Sequence, residues 1–125
     1  MKKLLLILLC VPLIGLGQQT YVPDDNFEQR LIDWGYDNIL DDYVTTSAID
    51  TITSLAIFGN YNIADFTGIE DFIDLTILIC WNNQITSLDV SNNPALTYLD
   101  FQNNQLTTLD VSNNPDLTYL DCADN

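Results

Sequence analysis

The sequence predicts an α/β-type solenoid: a parallel sheet along one face, extended return segments on the other, and a helical cap over the first coil. Three observations predict it. Residues 75–95, "LTILICWNNQITSLDVSNNPA", 96–116, "LTYLDFQNNQLTTLDVSNNPD", and 117–125, "LTYLDCADN", repeat with a fixed period of 21, and periods near 20 mark stacked coils. In "LTYLDF" the apolar Leu99 and Phe101 flank an outward Asp100, which is the two-residue period of a strand. An asparagine returns at the ninth position of every copy, as Asn83, Asn104 and Asn125.

The chain of 125 residues has room for one domain. Residues 1–19 read as a secretory leader: Met1-Lys2-Lys3 is basic, "LLLILLCVPLIGLG" is a short apolar core, and Gly15 and Gly17 are spaced like a cleavage site. That core is too short and too interrupted to favour a membrane span, so no stable membrane insertion is expected after cleavage near Gly17 or Gln19. Cys10 follows Leu9, where lipid attachment wants a small side chain. Removing the leader leaves 18 carboxylates against Arg30 alone, a net charge of −17. Such a surface repels phosphate backbones, so nucleic acid is not an expected partner.

Residues 20–50 are expected to form the cap. Asp25 with Glu28 three residues later makes a capping-box-like start after Pro23. Phe27, Leu31 and Trp34 then share one helical face, and Gly35 is placed to end the helix. A cap is needed because the end of a stack exposes apolar side chains and unpaired strand groups.

Residues 51–125 form the coils. A divergent one spans 52–74, with Ile52, Leu55, Ile57, Asn60, Ile63, Phe66, Ile69 and Phe72 in phase and a one-residue insertion before Ile63. The ninth-position asparagines sit where the chain leaves the strand, and their amides are expected to serve backbone groups the turn leaves unpaired, each worth about 1–3 kcal/mol if buried alone. Each phrase also repeats internally, "LTYLDFQNN" against "LTTLDVSNN", so the return around Leu109-Asp110-Val111 is expected to be extended. Pro94 and Pro115 close the coils. Cys80 and Cys122 lie two periods apart, about 10 Å at one strand spacing per coil. A disulfide needs less than about 7 Å, so two free thiols are expected.

The spacing L-x-x-L-x-L-x-x-N-x-L in residues 75–125 resembles the leucine-rich-repeat family, and its doubled form L-x-x-L-x-L-x-x-N-x-L-x-x-L-D-L-x-x-N resembles a 21-residue bacterial subclass. "NIADFTGIEDF" in the divergent coil resembles the first repeat of internalin-like surface proteins, and residues 22–44 resemble the start of secreted leucine-rich-repeat proteins of gliding-type bacteria. The resemblance implies a bacterial location, secreted or on the outer surface, and recognition of a protein or glycan ligand on the strand face. It implies no catalytic residue.

Outward positions of the main strands are the candidate ligand-binding residues: Ile77, Ile79 and Trp81; Tyr98, Asp100 and Gln102; Tyr119, Asp121 and Ala123. Exposed Tyr and Trp anchor partners well; the alternative is that Tyr98 and Tyr119 only pair across strands. Asp89 and Asp110, flanked by Ser91 and Ser112, form a second column whose repulsion calls for water, hydroxyls or calcium. The loop 37–42 lacks the glycine and glutamate of a calcium loop, so no metal or cofactor is expected. With no histidine in the chain and no lysine after the leader, nucleophilic triads and histidine-based metal catalysis are excluded. A carboxylate pair for glycoside cleavage could only be chosen arbitrarily among so many acids.

The sequence therefore predicts a non-catalytic binding protein. The alternative is a targeting or spacer module of a larger secreted enzyme, and no C-terminal cap follows Leu117, Leu120 and Cys122, as expected of a fragment or an early-terminated copy of a longer array.

Overall fold

The period of 21 places one short strand per coil, and the strands stack in sequence order. The structure, a computed structural model, describes residues 17–125; the expected leader lies almost wholly outside the described residues. Strands β3 (Ser54–Ala56), β4 (Ile77–Ile79), β5 (Tyr98–Asp100) and β6 (Tyr119–Asp121) form a four-stranded parallel sheet in that order. Leu55, Leu78, Leu99 and Leu120 are in register across it. The offset is 23 residues from β3 to β4 and 21 thereafter, so the divergent coil absorbs its extra residues without breaking register.

The first coil ends in a 3₁₀ turn, Ile69–Asp71. Later returns carry no helix, including the segment around Leu109-Asp110-Val111. Each later coil closes on a turn in which Leu96 donates to the Asn93 carbonyl (3.1 Å) and Leu117 to that of Asn114 (3.2 Å). Pro94 and Pro115 occupy the second position of these turns, where a fixed φ near −65° is already correct.

Core residues are those of the repeat phase: Ile52, Leu55, Ile57, Ile63, Phe66, Ile69, Phe72, Leu75, Leu78, Cys80, Ile85, Val90, Leu96, Leu99, Phe101 and Leu106 are buried. Leu120 and Cys122 in the last described coil are exposed.

Before the coils, β1 (Gln19–Tyr21) pairs antiparallel with β2 (Tyr43–Thr45), a sheet the sequence reading did not foresee. Helix α1 (Asp25–Asp33) lies between them in the chain. Its N-cap is Asp24 and not Asp25: Asp24 Oδ1 accepts from the Asn26 and Phe27 amides at 3.0 and 3.1 Å. Asp24 Oδ2 accepts from Ala64 and Asp65 at 2.8 and 3.1 Å, so one carboxylate serves the helix and the first coil together. Glu28 does not complete a capping box. It is fully buried and accepts from the amides of Asp41, Asp42 and Tyr43.

Phe27 and Leu31 are buried as expected, with the Phe27 ring 4.7 Å from Phe66 and 6.2 Å from Phe72. Trp34 leaves that face and is 43% exposed, because Gly35 (φ 82°) reverses the chain. Gly35 donates to Ile32 O and Tyr36 to Leu31 O, the two bonds of a Schellman ending. Gly68 is demanded by space: at φ 105° it faces β1, and a Cβ would lie 2.8 Å from the Tyr21 carbonyl.

Candidate functional site

Asparagine ladders fix the coils that carry the sheet face. Asn83 Oδ1 accepts from Ile63 N (3.2 Å) while its Nδ2 donates to Ile57 O (3.0 Å) and Cys80 O (3.1 Å). Asn104 repeats this one coil on, from Ile85 N to Cys80 O and Phe101 O, and Asn125 does so between Leu106 N, Phe101 O and Cys122 O. Every ladder asparagine reaches back to the preceding coil. Asn60, aligned with them, has no coil before it, is exposed, and makes no side-chain hydrogen bond among the described residues. The residue before each ladder asparagine, Asn82, Asn103 and Asp124, takes a left-handed conformation (φ 58°, 54° and 54°) that short polar side chains tolerate.

Two further ladders escaped the sequence reading. Asn93 and Asn114, both buried, donate from Nδ2 to Ile69 O and Phe72 O, and to Val90 O and Asn93 O. Thr76, Thr97 and Thr118 donate their hydroxyls to the carbonyls of Thr53, Thr76 and Thr97. The signal was present: Asn93 and Asn114 recur in "SNNP", Thr76, Thr97 and Thr118 in "LT".

The rows of the sheet face follow from this register. One row runs Ser54, Ile77, Tyr98, Tyr119 and the next Ala56, Ile79, Asp100, Asp121. Beyond the strands Phe58, Trp81, Gln102 and Ala123 continue the same spacing. Tyr98 and Tyr119 stack at 4.1 Å with a 4° interplanar angle, and Phe58 stacks on Trp81 at 5.1 Å and 13°. Ile77, Ile79, Trp81, Tyr98, Gln102 and Asp121 are half-buried, and Tyr119 is exposed.

Asp100 departs from the expected open position. It is only 6% exposed, and its carboxylate accepts from the Gln102 amide (3.3 Å) and from Gln102 Nε2 (3.2 and 3.3 Å), so its oxygens are already engaged. Hydrogen bonding to Tyr98 pushes the Tyr119 phenol up to about 12. Its hydroxyl also donates to Asp121 Oδ2 at 3.4 Å. Phe58, absent from the candidate residues because its coil is divergent, joins the aromatic strip.

On the return side, Asp89 and Asp110 line a groove of about 400 Å³ with Thr86, Ser91, Thr108 and Ser112. The Ser91 hydroxyl and amide hold Asp89 below the ordinary carboxylate range against the repulsion of Asp110, and Ser112 does the same for Asp110. Serines therefore supply the offset the column requires. Cys80 and Cys122 are free thiols with Phe101 in register between them; Cys80 is buried, and burial drives its thiol far above the usual range. Among the described residues no group of three or more acidic, Cys or His side chains could hold a metal ion.

A match to the family of leucine-rich repeats in two copies covers residues 73–114. Internalin J of Listeria monocytogenes serotype 4b (strain F2365) is 44% identical over 73 residues, 58% of this chain and 8% of that protein. This chain is an internalin-like leucine-rich-repeat protein. Among solved structures, the functional domain of internalin J from Listeria monocytogenes, described as including a cysteine ladder, superposes with a TM-score of 0.74 at 41% identity, covering 87% of this chain and 25% of that one. An internalin, internalin F, from Listeria monocytogenes str. 4b F2365 superposes with a TM-score of 0.72 at 28% identity, covering 80% of this chain and 30% of that one. The internalin-like chain thus spans under a third of the solved relatives and a small part of the curated one. Among the described residues no helix is long and apolar enough to cross a membrane.

Proposed function

We propose that this chain is a non-catalytic recognition segment, secreted to or displayed on the outer surface of a bacterium, that binds a protein ligand on its sheet face. The observation that carries the reading is the aromatic strip: the Phe58–Trp81 and Tyr98–Tyr119 stacks lie on one face, with Ile77 and Ile79 between them. Large rigid rings supply contact area at little entropic cost, and no catalytic constellation competes for the same surface. Ile77, Ile79, Trp81, Tyr98, Gln102, Tyr119 and Asp121 are the contact residues in this reading; Asp100 positions Gln102.

Within the same reading α1 and the β1–β2 sheet serve as the N-terminal cap, and the leader ends before Gln19, since Gln19 is already paired with Thr45 in β1. The test is capture of surface proteins from a host or environmental extract by the full-length secreted protein. Trp81→Ala and Tyr98→Ala should keep their circular dichroism spectra and lose capture, whereas Tyr43→Ala, exposed on the other sheet, should retain it. Undiminished capture by both strip variants would overturn the reading, and capture that survives protease treatment of the extract would point to a glycan instead.

A further inference from the structure

Beside the strip, at the junction of the helix end and the first coil, lies a cleft of about 500 Å³ lined by Trp34, Tyr36, Ser54, Leu55, Ala56 and Phe58. The Schellman ending of α1 puts it there: reversal at Gly35 turns Trp34 and Tyr36 away from the helix core and toward β3. Trp34, Tyr36 and Phe58 remain 43%, 37% and 47% exposed, so none of the described residues covers the rings. Their charge setting is one-sided. Trp34 and Tyr36 are bracketed in the sequence Asp33-Trp34-Gly35-Tyr36-Asp37, and Asp37 Oδ2 is buried with no hydrogen-bond partner among the described residues. Arg30, the only cation in residues 17–125, is already committed: it pairs with Asp33 and lies 4.4 Å above the centre of the Tyr61 ring.

We propose that this cleft receives an arginine side chain of a basic polypeptide partner, its guanidinium stacked on the exposed rings, with Asp37 next to Tyr36 in the chain. Ring faces attract cations, and a guanidinium stacks on them where a neutral amide gains much less. The net negative field of the chain concentrates such partners before contact. The Arg30–Tyr61 pair is the same contact made within the chain.

The proposal rests on the reading of this face as a recognition surface, and it is tested separately because Trp81, Tyr98 and Tyr119 do not line the cleft. Trp34 and Trp81 are the two tryptophans of the chain, so Trp81→Phe leaves Trp34 as the sole indole reporter. In that background the full chain is titrated, at physiological salt, with an acetylated peptide of alternating arginine and serine, with its citrulline counterpart and with a neutral oligosaccharide. The expected result is a saturable change in Trp34 emission with the arginine peptide, at least tenfold weaker for citrulline and at least tenfold weakened by Phe58→Ala or Tyr36→Ala, both at exposed positions. Tyr43→Ala should leave it unchanged. Equal responses to arginine and citrulline, a response to the oligosaccharide alone, no response, or no effect of either cleft variant would each overturn the proposal.

Discussion

The Asn104 side chain accepts a hydrogen bond from the Ile85 amide at 3.1 Å and donates one to the Cys80 carbonyl at 3.0 Å, so a single buried amide closes the preceding coil at two points. The Ile85 amide has no other hydrogen-bond partner among the described residues, whereas the Cys80 carbonyl also accepts from Asn83 Nδ2 at 3.1 Å. Asn104→Ala should therefore destabilise the chain strongly, at roughly 1–3 kcal/mol for each buried group left unpaired. Asn104→Asp should be nearly as damaging, because a carboxylate keeps the acceptor and loses the donor. Asn60→Ala, at the aligned position with no coil behind it, should change the urea midpoint little. Equal effects at the two sites would refute the backward-reaching ladder.

The first link between helix and coils is Asp24, which accepts from Asn26 and Phe27 with one oxygen and from Ala64 and Asp65 with the other. Loss of an N-cap alone costs about 0.5–2 kcal/mol. Asp24→Ala should exceed the middle of that range, since it also strands two coil amides. Asp25→Ala, one residue on and without those bonds, should stay within about 0.5 kcal/mol of the parent, as ordinary surface substitutions do. Chemical denaturation of the two variants side by side decides between the caps.

The repeat phase was legible because it repeats: Leu78, Leu99, Asn83 and Asn104 announce their roles by recurring, and periodicity needs no knowledge of the third dimension. What occurs once was not. Asp24 and Asp25 are equivalent as letters; only the approach of Ala64 and Asp65 chooses between them. Glu28 reads as the capping-box partner of Asp25, and its burial depends instead on the loop 41–43 folding back to give it three amides. Trp34 had the right spacing for the core but lies at the Schellman reversal, where helical spacing stops applying. Asp100 alternates outward as a strand residue should, and is closed off by Gln102, two residues along the chain.

Cys80 and Cys122 occupy equivalent repeat positions two coils apart, yet their surroundings are opposite. Burial disfavours the Cys80 thiolate, with Asp100 adding to the effect, and the thiolate is the reactive species. In the folded chain a thiol-alkylating reagent should therefore label Cys122 and spare Cys80, as read by peptide mass spectrometry. Addition of urea should bring Cys80 to parity. Equal labelling without denaturant would mean that the second coil opens readily.

The column of Asp89 and Asp110 makes a prediction about acid. Hydrogen bonds from Ser91 and Ser112 hold both carboxyls below their ordinary value of 3.8 in the folded chain. A carboxyl whose folded pKa is depressed contributes stability above its unfolded pKa, and that contribution is lost as pH falls through the folded value. Stability should thus decline as pH drops below about 4, and the double variant Asp89→Asn, Asp110→Asn should flatten that part of the profile. Both groups are fully exposed, so the change in slope should be modest and should shrink further in high salt. Ser91→Ala with Ser112→Ala removes the hydroxyls and leaves the amides, and should flatten the profile only in part. Urea midpoints measured from pH 3 to pH 6 would check the sign; a parent profile with no fall on the acid side, or a double variant as steep as the parent, would refute the assignment.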